Sequence, residues 1–157
     1  MKDFTWTLAI PASEENIYAA LTQSIPEWWT EMFEGNAQRP GQTFTIAFGP
    51  TVYKTLLVEE LVPHNKVAWR VVDALIDLPE LRNKKEWIDT QIVWEIYGGS
   101  GGTLVKLSHL GLTPAAECYE ICASGWQNFL QSFEKFIRIG LGSPFRMTEA
   151  QLKEEAI

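Results

Sequence analysis

Long hydrophobic runs are missing from this chain: no stretch approaches the roughly 20 apolar residues that a bilayer-spanning helix requires, so no membrane span is expected. Positive charge is scarce as well. Thirteen Lys and Arg against 20 Asp and Glu leave a net charge of −7. That sign is wrong for neutralising a phosphate backbone, and no nucleic-acid partner is expected. The one basic cluster, Arg82, Lys84 and Lys85, is bracketed by Glu80 and Glu86 and reads as a solvated loop. Cysteine is limited to Cys118 and Cys122. Their spacing on one helix face suits packing better than a disulfide, and two soft ligands without a third do not make a zinc site. No metal is expected, and a pair of free thiols suits a reducing compartment. The opening MKDFTWTLAI interrupts its apolar residues with Asp3 and threonines, unlike a secretory leader, so the expected location is cytoplasmic.

Catalytic signatures are missing too. No serine stands in a G-x-S-x-G turn, and phosphate-loop and dinucleotide fingerprints do not occur. Ser100, flanked by glycines in GGSGG, belongs to a hairpin too flexible to position a nucleophile. No catalytic residue and no cofactor are expected.

What the chain does have is apolar bulk and tryptophan. Hydrophobic residues make up 46% of 157, and seven are tryptophans. A chain of this length buries about 70% of its unfolded surface in one core, so one domain is expected over 1–143, with 144–157 a tail or a short extra helix from Thr148. Period-two alternation marks strands at FTWTLAI, TFTIAF, VYKTLLVEELV, VAWRVV, TQIVWEIY and TLVKLSHL, joined by short turns in an antiparallel meander. After the first strand, Ser13 caps a short helix with Glu14 and Glu15 in its first turn. Pro26 then restarts the chain as a second short helix, SIPEWWTEMF. Residues 73–89 are too apolar for a free loop and too charged and Pro-interrupted for a strand. They read as a long connection folded over an edge of the sheet.

Thr113-Pro114 is a strong helix start, and the pattern runs to about Ile139, where Gly140 and Gly142 end it. At 100° per residue, Tyr119, Cys122, Trp126, Phe129, Leu130, Phe133 and Ile137 form one stripe, opposite Gln127, Asn128, Gln131, Lys135 and Arg138. Gly125 interrupts this helix beside its largest side chain, at a cost of ~1 kcal/mol relative to Ala. The expectation is that a strand or loop approaches the helix closely there, or that the helix bends.

Three stretches, IPASEENIYAALTQSIPEWW, VEELVPHNKVAWR and GWQNFLQSFEKFI, together resemble the helix-grip fold of START-related and birch-pollen-allergen-like domains. Within that superfamily they are similar to the branch named after the heat-shock ATPase activator. The likeness spans residues 4–139. It implies an α+β fold: a curved antiparallel sheet of about six strands wrapped around a long C-terminal helix, with two short helices after the first strand. It also implies an apolar cavity between sheet and helix. It does not fix an activity, since such members range from lipid carriers to cyclases and chaperone regulators.

The expected function is therefore binding of a small hydrophobic molecule. Trp28, Phe44, Phe48, Trp69, Trp94, His109, Trp126, Phe129 and Phe133 are the candidate lining. The mouth is expected near Trp28, Trp29 and a mobile 73–89 connection. His109 alternates with Val105 and Leu107 on the inner face of its strand. It reads either as a structural histidine or as the acid or base of a cyclase- or hydrolase-like enzyme on an aromatic or polyketide-like substrate. A homodimer, and regulation of a chaperone ATPase through surface contacts, are the remaining partner readings.

Overall fold

The computed structural model describes residues 2–147. In chain order the elements are β1 (Phe4–Ile10), α1 (Glu14–Thr22), α2 (Ile25–Trp28), β2 (Phe33–Gly35), β3 (Thr43–Ala47), β4 (Val52–Val62), β5 (Lys66–Ile76), β6 (Gln91–Gly99), β7 (Gly102–Leu110) and α3 (Tyr119–Ile139). The seven strands form one antiparallel sheet in the order β1-β7-β6-β5-β4-β3-β2. Only β1 departs from sequence neighbours, closing against β7 with Phe4 opposite His109. Alternation decides which face is inside: Val105, Leu107 and His109 of β7 are buried, as are Ile92, Trp94 and Ile96 of β6. An apolar sheet face has to be covered, and α3 covers it with Cys122, Trp126, Leu130 and Phe133. This is the sheet-around-helix architecture that the sequence implied.

Four local expectations change. The segment SIPEWWTEMF is not one helix: α2 ends at Trp28, and Phe33 opens β2, the seventh strand. The cause is a hydrogen-bonded detour, in which Thr30 Oγ1 donates to Ala47 O and Glu31 N donates to Phe145 O. The long helix starts at Tyr119, not at Thr113. Residues 113–118 form turns: Thr113 Oγ1 accepts from Ala115 N, and both Glu86 carboxylate oxygens accept from Glu117 N and Cys118 N, at 2.9 Å each. The connection after β5 is shorter than expected, because β5 itself runs to Ile76, and it lies along the edge of β5 that β6 leaves free, where Ile76 N donates to Lys84 O. β5 pairs with β6 only over Lys66–Arg70 and then continues along β4 to Ile76. The following chain fills the gap that opens, burying Leu81 and Trp87.

Gly125 is the fourth. A Cβ built there meets nothing within 4 Å, so no strand or loop approaches it. Close approach belongs instead to Gly142, where a Cβ would meet Glu27 O and Trp28 Cα. There Ser132 Oγ donates to Trp28 O and accepts from Ser143 N, both at 2.7 Å, fastening the chain after α3 back onto α2. Phe145 pairs with Thr30 along the same line. The expected short helix from Thr148 lies outside the described residues.

Candidate functional site

The interior between sheet and α3 is filled largely by rings. Trp28 stacks on Trp29 at 5.3 Å and meets Trp94 and Phe133 edge-on at 6.0 and 5.1 Å. Trp29 in turn stacks on Trp69 at 5.8 Å, and Trp69 meets Phe44 edge-on at 5.2 Å. Such pairs add about 0.5–1.5 kcal/mol each beyond the area they bury. Trp28 also satisfies its indole N–H on Ala20 O at 2.8 Å. Trp69 and Trp94 have no acceptor for theirs among the described residues; aromatic rings surround them.

Six of the nine candidate lining residues therefore pack against one another or their neighbours: Trp28, Phe44, Trp69, Trp94, His109 and Phe133 are all at most 1% exposed. The open space lies to one side of this cluster. It is an apolar cavity of about 150 Å³ bounded by Trp29 from the α2 end, Phe48 and the Val52 and Lys54 side of β4, Ile76, Leu78 and Trp87, and by Ile121, Cys122, Gly125, Trp126 and Phe129 of α3. Phe48, Trp126 and Phe129 are the three candidates that the structure brings to it. Trp28 is sealed in the core, whereas its neighbour Trp29 faces the cavity.

Gly125 now has its explanation. It lies in the cavity wall, and the space a side chain would occupy is the cavity itself. The helix gives up about 1 kcal/mol of propensity at this position and keeps a hollow that Ala or Leu would begin to fill.

His109 is held as a structural group. Trp126 Nε1–H donates to its Nδ1 at 2.9 Å, so the ring hydrogen sits on Nε2 and is donated to Thr90 Oγ1, also at 2.9 Å. Thr90 passes its own hydroxyl hydrogen to Trp87 O at 2.7 Å. Burial, aided by the Lys54 charge, lowers the His109 pKa to about 3. A neutral imidazole with both nitrogens engaged is not an acid or base at neutral pH. Its work is to orient Trp126 and Trp87, two walls of the cavity.

The polar group that does reach the cavity is Lys54, which sequence reading passed over. It is 9% exposed, and its ammonium lies 4.7 Å from the centroid of Phe48 and 4.3 Å from that of Trp87. Among the described residues it forms neither an ion pair nor a side-chain hydrogen bond. Desolvation lowers its pKa to about 8, against a smaller opposing pull from Cys122 and Cys118. The signal was present: Lys54, Leu56 and Val58 occupy the inward positions of β4, and a lysine in an inward register is unusual. Trp87 was likewise missed, because its segment has no period.

Cys122 completes the polar corner. Its Sγ accepts from Trp87 Nε1–H at 3.1 Å. The hydrogen bond to Cys118, the Trp87 N–H and the Lys54 charge together pull its pKa down against burial. Its hydrogen-bond partner Cys118 is pushed up by that same bond and by burial. Both cysteines are free, and no metal-binding cluster occurs among the described residues. No helix among them is long and apolar enough to cross a membrane.

Comparison with solved structures agrees with this fold. The Aha1 dimer from Colwellia psychrerythraea superposes with a TM-score of 0.74 at 27% identity, over 90% of this chain and 100% of that one. Protein MLL2253 from Mesorhizobium loti follows at 0.69 and 18% identity, over 85% and 95%. DynU16, from the dynemicin biosynthetic locus, reaches 0.68 at 16% identity, over 90% of this chain and 49% of its own. At those lower identities the last two show the fold alone. No curated protein sequence matches. A family profile, Activator of Hsp90 ATPase homolog 1-like protein, matches residues 11–138. With most of the chain covered and the sheet-on-helix grip in place, the protein belongs to this family of Activator of Hsp90 ATPase homolog 1-like proteins.

Proposed function

We propose that the protein binds a small, predominantly apolar molecule in the cavity under the first half of α3. The observation that carries this reading is a cavity of about 150 Å³ kept open at Gly125, where the helix forgoes a side chain that nothing in the structure would obstruct. An apolar void of this size accommodates roughly one benzene ring. Occupancy of such a preformed pocket requires little ordering of the protein. Phe48, Trp126 and Phe129, with Trp29 and Trp87, are the proposed contacts.

Tryptophan emission tests the proposal, because Trp29, Trp87 and Trp126 all border the cavity. Titration with single-ring compounds such as toluene shifts the emission and raises Tm in the wild type, and Gly125→Leu abolishes both effects. A wild type indifferent to every compound contradicts the reading. The cyclase- or hydrolase-like alternative loses its acid–base candidate, since His109 is buried, neutral and doubly hydrogen-bonded.

The two reduced thiols fit a cytoplasmic site of action. Self-association is proposed on the likeness to a dimeric Aha1; sedimentation equilibrium returning only the monomer mass removes it. Chaperone regulation is the weaker partner reading, and an ATPase assay with the cognate chaperone decides it.

A further inference from the structure

Lys54 is out of place in a cavity whose only task is to hold a hydrocarbon. Burying an ammonium among rings is unfavourable unless a counter-charge or strong acceptor compensates it. Here the described residues supply neither. The ring faces of Phe48 and Trp87 attract the cation, but a cation–π contact replaces only part of its hydration. The titratable groups that influence Lys54 are the thiols of Cys122 on α3 and of Cys118 just before it, and the neutral His109 on β7. The ion pairs nearest it in sequence, Glu59–Arg70 and Glu60–Lys66, are formed by exposed side chains.

From this geometry we infer that the cavity takes an anionic ligand: a single aromatic ring or a comparably small branched apolar group bearing one carboxylate, with the carboxylate on Lys54 and the apolar body between Trp87, Phe129 and Gly125. This rests on the proposed binding function and adds the ligand's charge to it. The cavity volume limits the apolar part to about one ring. Lys54 supplies donors without needing new structure, because its Nζ already points at the cavity with its donors uncommitted. A bound carboxylate would convert an uncompensated buried charge into a hydrogen-bonded pair, shielded from water by the rings that now surround the ammonium. Net charge argues in the same direction. A protein of −7 repels anions at long range, so an inward cation without an ion-pair partner among the described residues, at the apolar cavity under α3, is a specific provision and not a general surface property.

The test compares benzoate with toluene, two probes of similar size that differ in charge, by calorimetry on the wild type and on Lys54→Met. The wild type is expected to bind benzoate at least ten-fold more tightly than toluene, and Lys54→Met is expected to erase or reverse that ratio. In the wild type, the Lys54 13Cε resonance moves with benzoate and not with toluene, a readout that holds even if the variant folds poorly. Toluene binding at least as tightly as benzoate, with the Lys54 resonance unmoved by benzoate, overturns the anion inference and leaves the apolar-pocket reading standing. If neither probe binds, both fall.

Discussion

At the scale of residues, the proposed binding function rests on the missing side chain at Gly125 and the buried charge of Lys54. Gly125 does not accommodate a neighbour; it preserves space. Gly125→Ala should therefore raise stability by about 1 kcal/mol, the ordinary helix-propensity gain, which urea denaturation measures directly. A loss of stability would show that something contacts the position. Lys54 makes a prediction in pH. Its pKa in the folded protein, about 8, lies below the usual 10.5, so between these values the unfolded chain binds the proton more strongly and stability rises with pH. Lys54→Met removes that rise. At pH 7 it should stabilise the protein by up to about 3 kcal/mol, the equivalent of the full shift, as pH-dependent denaturation of the two proteins will show by difference. His109 works in the acid range. Its folded pKa of about 3 lies below the ordinary 6.5, so its contribution is fully present above 6.5 and declines as pH falls toward 3. At pH 5 its 15N shifts should be those of the neutral Nε2–H tautomer. An imidazolium at that pH would contradict the hydrogen-bond assignment.

At the scale of elements, the connection between β5 and β6 and the turns before α3 hold each other in place. Glu86 accepts from Glu117 N and Cys118 N, while Glu117 accepts from Arg82 N and Asn83 N. This reciprocal clasp sets both the start of α3 and the depth of Trp87. Glu86→Ala frees two backbone donors and should cost about 1–2 kcal/mol, with hydrogen exchange accelerated at residues 117 and 118. Unchanged exchange there would remove the clasp from the account. This clasp also explains what was hard to read from sequence. Thr113-Pro114 has the chemistry of a helix start, yet a carboxylate from 31 or 32 residues earlier takes the backbone groups and moves the start to Tyr119. Such a long-range partner leaves no local signal. Strand alternation did carry across, as the stripe on α3 did, because periodicity is set by the face an element must bury. The candidate site was only partly legible: period showed that Trp69 and Trp94 point inward, but not that other rings close over them.

At the scale of the whole molecule, tryptophans fill most of the space between sheet and helix, and the apolar cavity implied there is confined to one side of them. Trp28 sits at the junction of the cluster, touching Trp29, Trp94 and Phe133. Trp28→Ala should cost about 3–5 kcal/mol, in contrast to the gain expected at Gly125. The same helix thus has tightly packed positions and one deliberately vacant one. The central claim is that the vacant one is a binding site, and a crystal structure of the protein soaked in toluene tests it most directly. The account predicts electron density for one ring between Trp87 and Phe129, against the Cα of Gly125, with the tryptophan cluster unmoved. A cavity closed by rotation of Phe48 or Phe129 and without toluene, or toluene bound only elsewhere, would contradict it.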